Sequence, residues 1–244
     1  MNGELEFSLT DKIDLSLLVP CLNEEKTLKL TLDTIFAALD ELDLTYEVLV
    51  VDDGSTDNTV QVAETYIGEN PDRNISLRKN GVNIGLSKTF AAGAFLTSGT
   101  FYRLCVSDGV EFKETYKDIF QCIGAADMVL PYHRFITPRN VLRKNISSVY
   151  TWLVNSLSGN QLTYYNGCGV FIREDVKQYY SRSTGFGFQA ELVTNLLLQR
   201  RTYIEVEVVV QDNPQFNPIK GRNFISVAIV LGRITYKHML RGQS

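Results

Sequence analysis

The sequence predicts an open, mostly parallel α/β sheet with helices packed against it. Three observations carry that prediction. Short β-branched runs alternate with amphipathic helical stretches through the first half of the chain. Those runs are apolar along their whole length rather than at every second residue, as strands covered on both faces are. Polar, turn-rich segments follow them, at the carboxyl ends of the strands, where open α/β sheets bind ligands.

Taken in order, DLSLLV (14–19) is a first buried strand, running into Pro20. Leu28, Leu32, Ile35, Phe36, Leu39 and Leu42 recur at spacings of three and four, which makes an amphipathic helix. YEVLVVDD (46–53) is a continuous β-branched run, the pattern of a central strand. Gly54 and Ser55 turn the chain, and Thr56 or Asp57 caps a helix reaching about Ile67. ISLRKN (75–80) gives a third strand, and Gly85 to about Thr97 a third helix. FYRLCVS (101–107) and DMVLPY (127–132) are two further strands with a helix between them. Beyond them the pattern predicts a helix over about 141–157, a short strand around 167–172 and a helix over 188–198. A long strand (202–212), a loop with Pro and Asn, and a final helix complete the chain. No repeat or low-complexity linker divides it, so the whole reads as one domain. Its first part spans about 14–132, its second about 133–221, and its terminal amphipathic helix about 222–241.

Composition narrows the function. The 244 residues, 44% apolar and 21% charged, suit a single large globular domain and exclude disordered, collagen-like or coiled-coil chains. A net charge of −4 speaks against a general nucleic-acid binder. Cys21, Cys105, Cys122 and Cys168 are scattered, so the sequence predicts reduced thiols rather than a zinc site or disulfide framework. The opening residues lack the apolar core of a signal peptide, and no stretch approaches the roughly 20 apolar residues that span a bilayer. The expectation is a cytoplasmic protein, with the inner face of the cell membrane as the surface it can meet. Charge is uneven: no Asp or Glu occurs from Met128 to Arg173, while Arg134, Arg139, Arg143, Lys144 and Arg173 fall there. The second half therefore suits an anionic ligand or surface, or else presents a solvated basic face.

VPCLNEE (19–25) and VVDDGSTDNT (50–59) close the first two strands. Asp52 and Asp53, adjacent after a buried strand, repel one another unless compensated by ribose or base donors, a cation, or helix N-termini. The competing reading makes Asp53 and Ser55 turn and capping residues. These two motifs, followed by NIGLSKTFAAGAFLTSG (83–99), resemble the family-2 inverting glycosyltransferases of GT-A fold. The resemblance implies a Rossmann-like half that binds a nucleotide diphosphate sugar. Pro20, Asn23 and Glu25 would line the base and ribose pocket, with Asp52 and Asp53 at the nucleoside, and Asn83, Gly85 and Leu86 would pack beneath it.

The second half resembles a narrower branch, the dolichyl- and polyprenyl-phosphate sugar transferases. HRF (133–135), Arg143 with Ser147, YYNGCGVFIRED (164–175), GFGFQAELV (185–193) and PIKGR (218–222) carry that likeness. It implies that Arg134, Arg143 and Ser147, with Lys220, hold the phosphate of a polyprenyl phosphate. Guanidinium forks suit that task, and the acid-free stretch offers no local carboxylate to neutralise them.

One departure stands out. The family carries Asp-x-Asp after the fourth strand, holding Mg²⁺ or Mn²⁺ on the diphosphate. Here CVSDGVEF (105–112) keeps only Asp108 and Glu111, the expected metal ligands, with Asp108 also expected at the donor. Glu191 is either the general base that relatives with hydroxyl acceptors need or a structural partner of a basic neighbour. The final helix carries Arg222, Ser226, Arg233, Lys237 and Arg241 on one stripe. It either lies in a membrane interface or packs on the body with that stripe in water. The expected activity is inverting transfer from a nucleotide diphosphate sugar to a polyprenyl phosphate. Transfer to a glycan hydroxyl, or nucleotide-sugar binding without turnover, are the alternatives.

Overall fold

The computed structural model describes residues 12–136, 141–179, 187–212 and 221–241; at 221–226 and 239–241 only the backbone is described. Strand β1 (Leu15–Cys21) is followed by α1 (Leu28–Leu39), β2 (Tyr46–Asp52), α2 (Thr59–Glu69) and β3 (Ile75–Lys79). Then come α3 (Leu86–Leu96), β4 (Phe101–Leu104), α4 (Lys113–Phe120), β5 (Met128–Phe135) and α5 (Val141–Ser158). The remainder is β6 (Val170–Ile172), α6 (Arg173–Gln178), α7 (Phe188–Leu198), β7 (Tyr203–Val210) and α8 (Gly221–Arg241).

These strands form one seven-stranded sheet in the order β3-β2-β1-β4-β6-β5-β7. β6 runs antiparallel to both its neighbours, and the other pairings are parallel. Side chains alternate across each strand. Leu15, Leu17, Val19, Val48 and Val50 point to the side covered by α1, α2 and α4. Leu18, Leu49, Val51, Tyr102 and Phe171 point to the opposite side, which α3, α5, α7 and α8 cover. Both faces of the sheet are thus dry, which is why the strands read as unbroken apolar runs.

The differences from the sequence reading lie mostly in the second half. β4 ends at Leu104 rather than at 107, because Ser107–Gly109 turn there, with Gly109 at φ +71°. β5 extends to Phe135, since β7 pairs with it along its full length. The segment at 167–172 is strand only from Val170. Immediately before it, a Cβ on Gly167 would lie 1.9 Å from the Pro131 carbonyl oxygen, so only glycine lets the two backbones approach. α6 is an element that the periodicity did not reveal.

Candidate active site

Chain direction reverses its spread at β1, which has β2 on one side and β4 on the other. The crevice above that switch point is where such sheets take ligands. The loop after β1 and the loop after β2 are laced together there. The Asn23 amide donates to Ser55 Oγ at 2.9 Å, and Asn23 Oδ1 accepts from the Thr56 amide at 2.8 Å. The Glu24 amide donates to Thr59 Oγ1, and Glu25 Oε2 accepts from the amide and side chain of Asn58. Asp57 Oδ1 takes the Thr59 amide at 3.0 Å, holding the first turn of α2. Asn23 sits at φ +58°, a left-handed backbone that an Asn tolerates better than most side chains.

The paired aspartates are compensated by the protein itself. Asp52, buried, accepts from the Gly54 and Ser55 amides at 3.2 Å. Asp53, also buried, accepts from the amides of Ile84 (3.0 Å) and Gly85 (2.9 Å), from Asn80 Nδ2 (2.9 Å) and from Thr89 Oγ1 (3.3 Å). Gly85 is the N-cap of α3, so of the compensations considered, a helix N-terminus is the one supplied. Asp53 thereby fastens the 80–85 loop onto the end of β2. Gly54 lies directly beneath that loop: at φ +89°, its Cβ would fall 2.9 Å from the Asn83 amide nitrogen. Asn83 and Leu86 themselves are exposed on the loop's outer side.

Across the switch point, Ser107 Oγ donates to the Pro20 carbonyl at 2.8 Å and pins the turn after β4 to the end of β1. Asp108 follows, half-buried. Burial raises the Glu24 carboxyl above its ordinary range, and the charges of Asp108 and Asp57 push it the same way. Negative charge is therefore crowded in this crevice. Burial likewise pushes the Cys21 thiol up to about 12, with Asp52 and Glu24 adding to it, so it is an inert core group.

Glu111 is turned away from this crowd. Its Oε1 meets Nη2 of Arg103 at 2.5 Å, with both side chains buried. Arg103 also donates to the Cys168 carbonyl at 3.0 Å and lies over the Tyr116 ring at 5.1 Å. Glu111 is thus committed to an interior ion pair beneath the site. Among the described residues, no group of three His, Cys, Asp or Glu side chains comes together to hold a metal. Of the two acids expected to hold a metal, Asp108 is the one that lies at this crevice, where oxygens of a bound diphosphate would have to complete a hard cation's shell.

The acceptor side departs further from expectation. Arg134 is 67% exposed and pairs with Glu207 at 3.1 Å, while Arg143 pairs with Asp212 at 3.0 Å. The acid-free stretch is acid-free only along the chain, because β7 and the residues after it supply the carboxylates. Ser147 lines a cavity of about 670 Å³ between α5, the end of β5 and residues 163–164. Lys220 lies outside the described residues. Glu191, 4% exposed, faces Arg233 at 3.4 Å and Lys237 at 3.6 Å, both on α8. Of its two readings, the structural partner is the one observed. The basic stripe of α8 accordingly meets α7 at those two residues, which stay partly exposed, while Val230 and Ile234 are buried. Sequence reasoning missed Gln189, whose Oε1 takes the Cys168 amide at 2.9 Å and braces the Gly167–Gly169 segment. The signal was there, two residues before Glu191 in the same motif.

The glycosyl transferase family 2 profile matches residues 16–178. A dolichyl-phosphate beta-glucosyltransferase of Dictyostelium discoideum is 34% identical over 126 residues, 48% of this chain and 38% of the relative. A dolichyl-phosphate beta-glucosyltransferase of Trichomonas vaginalis is 31% identical over 182 residues, 68% of this chain and 55% of its own length. The chain therefore spans about half or less of these relatives. Among solved structures, glucosyl-3-phosphoglycerate synthase from Mycobacterium tuberculosis, in complex with Mn²⁺, uridine-diphosphate-glucose and phosphoglyceric acid, superposes with a TM-score of 0.67. It is 18% identical, with 91% of this chain and 80% of that one covered, a likeness of fold.

Proposed function

Because this chain belongs to glycosyl transferase family 2, we propose that it transfers a sugar, with inversion, from a nucleotide diphosphate sugar to a polyprenyl phosphate. The observation that carries this reading is the layout of one sheet edge. The laced loops of β1 and β2 form a nucleotide cradle, Asp108 follows at the switch point, and the Ser147 cavity opens at the end of β5. From β1 to β5 there are three strand intervals, about 14 Å at about 4.8 Å each, a span suited to a donor reaching toward an acceptor.

In this mechanism an acceptor phosphate oxygen attacks the anomeric carbon from the face opposite the diphosphate. The new C–O bond forms as the bond to the diphosphate breaks, and the electron pair leaves on the nucleotide diphosphate. A divalent cation such as Mg²⁺ or Mn²⁺, held through Asp108, would supply charge neutralisation for that leaving group. Asn23, Glu25, Pro20 and the exposed 83–86 loop border the nucleotide. An ionised phosphate needs no general base, which agrees with Glu191 being enclosed between two cations. That favours the phosphate acceptor over a glycan hydroxyl. Supporting a peripheral meeting with a membrane, α5 exposes Val141, Leu142, Val149 and Trp152, and no described helix is long and apolar enough to cross one.

The test is a thermal-shift screen of nucleotide sugars, followed by transfer from the best of them to a short polyprenyl phosphate. A ligand at 100 times its dissociation constant adds about 2.7 kcal/mol of stability. Labelled sugar should appear on the lipid phosphate with the anomeric configuration inverted. Transfer to a neutral glycan with the lipid phosphate ignored would overturn the reading.

A further inference from the structure

The side chain of Arg103, on β4, is wholly buried, and its guanidinium is spread over three segments. Nε donates to the Cys168 carbonyl at 3.0 Å, Nη1 to Cys105 Sγ at 3.1 Å, and Nη2 to Glu111 Oε1 at 2.5 Å. The Tyr116 and Phe120 rings, at 5.1 and 5.8 Å, close the pocket around it. Taking a guanidinium and a carboxylate out of water is costly, and an apolar pair of similar volume is often as stable or more so. Stability is therefore a poor reason for this pair to be here. Geometry is a better one, because a guanidinium holds its donors in a rigid plane and one side chain thereby fixes three partners relative to each other.

Those partners belong to the two sides of the site. Asp108 crests the turn between Cys105 and Glu111. Ser107 pins the near flank of that turn to the Pro20 carbonyl, and Glu111 anchors the far flank, where its backbone also bridges to Val210. Cys168 lies four residues after Tyr164, which lines the cavity at the end of β5. Its backbone sits at φ +53°, a left-handed conformation that a side chain of this kind keeps only when its surroundings impose it. Gln189 takes its amide at 2.9 Å and Arg103 holds its carbonyl, so the residue is clamped at both backbone groups.

We propose that Arg103 is a positioning residue for sugar transfer: through Glu111 and Cys168 it holds the Asp108 turn and the Gly167–Gly169 segment at one fixed separation, and so keeps donor and acceptor in line. Being wholly buried, it acts through those two residues and not on a substrate. The proposal rests on the transfer reading above and adds to it the part that sets alignment.

Two variants test it. Arg103→Met combined with Glu111→Leu removes both charges and keeps the packing, while Arg103→Lys keeps an ion pair but cannot span three partners. The loop backbone retains its own bond, from the Gln211 amide to the Val110 carbonyl at 3.0 Å, so the fold survives either change. Both variants should melt as wild type does and keep its KM for the nucleotide sugar. Their kcat for transfer to polyprenyl phosphate should fall about a hundredfold, the effect of misplacing reacting groups by about 1 Å. Independently of turnover, amide hydrogen exchange should quicken at 105–112 and 167–169 together, with β1 and β2 unchanged. A folded double variant with wild-type kcat overturns the role, and so does exchange that quickens at only one of the two segments. If neither variant folds, the pair serves stability and the proposal falls. Wild type that binds nucleotide sugar but transfers nothing to polyprenyl phosphate fails the underlying function instead, a result seen before any variant is made.

Discussion

Removing the carboxylate of Asp53 strands four donors at once, two of them backbone amides at the head of α3. With charged hydrogen bonds contributing about 1.5–3 kcal/mol and the rest less, Asp53→Ala should cost about 2–4 kcal/mol. The expected outcome is a lower urea midpoint with an unchanged slope, together with lost nucleotide binding, because the 80–85 loop is released. An unaltered midpoint would mean that these bonds contribute nothing. The sequence showed that two adjacent aspartates need compensation, and it placed them at the right edge of the sheet. It did not show that the compensation comes from a loop thirty residues on, since such pairings depend on the fold and leave no local pattern. Arg134 and Arg143 teach the same lesson in reverse: their neighbours in sequence carry no acid, yet their neighbours in space do.

At the level of elements, α7 and α8 are joined by a charge clasp rather than by apolar contact alone. Glu191 lies between Arg233 and Lys237, and Lys237 also donates to Asn195 Oδ1 at 2.7 Å. Replacing both cations by alanine leaves a buried carboxylate without compensation, at a cost of about 3 kcal/mol, the lower end for such pairs because Arg233 is 40% exposed. Adding Glu191→Gln to that double variant should recover part of the loss in a thermal melt. Glu191→Gln alone should keep transfer activity; its abolition in a folded protein would restore the general-base role. The turn after α1 is clasped to α4 as well, through Glu41, whose contacts with Lys113 and Lys117 lower its carboxyl to about 2. A carboxyl depressed on folding stabilises fully above its ordinary value of 4.5 and loses that effect as pH falls toward 2. Glu41→Gln should therefore flatten the drop in urea midpoint between those pH values, leaving the neutral plateau lower. The parallel strands and their helices were legible because their periodicity is strong. β6 was harder, since three residues and two flanking glycines carry no directional signal, and its antiparallel sense comes only from its neighbours.

For the molecule as a whole, donor and metal sites are one unit if Asp108 needs diphosphate oxygens to complete a cation's shell. Mn²⁺ alone should then raise the melting temperature little, a nucleoside diphosphate alone moderately, and the two together by more than their sum. Asp108→Asn should remove that synergy and keep the metal-free shift, as paired thermal scans would record. Equal shifts with and without Mn²⁺ in the wild type would show a chemistry independent of metal. The sheet's order also bears on how the chain is made. β1 to β4 can pair with one another as they leave the ribosome, but β5 touches only β6 and β7, both translated after it. Its apolar start, Met128–Leu130, emerges with nothing to receive it, and the open side of β4 waits for the same late strand. A nascent chain that stalls before residue 172 therefore holds three unsatisfied strand edges at once, one on β4 and two on β5, an invitation to pair with its neighbours on the same message.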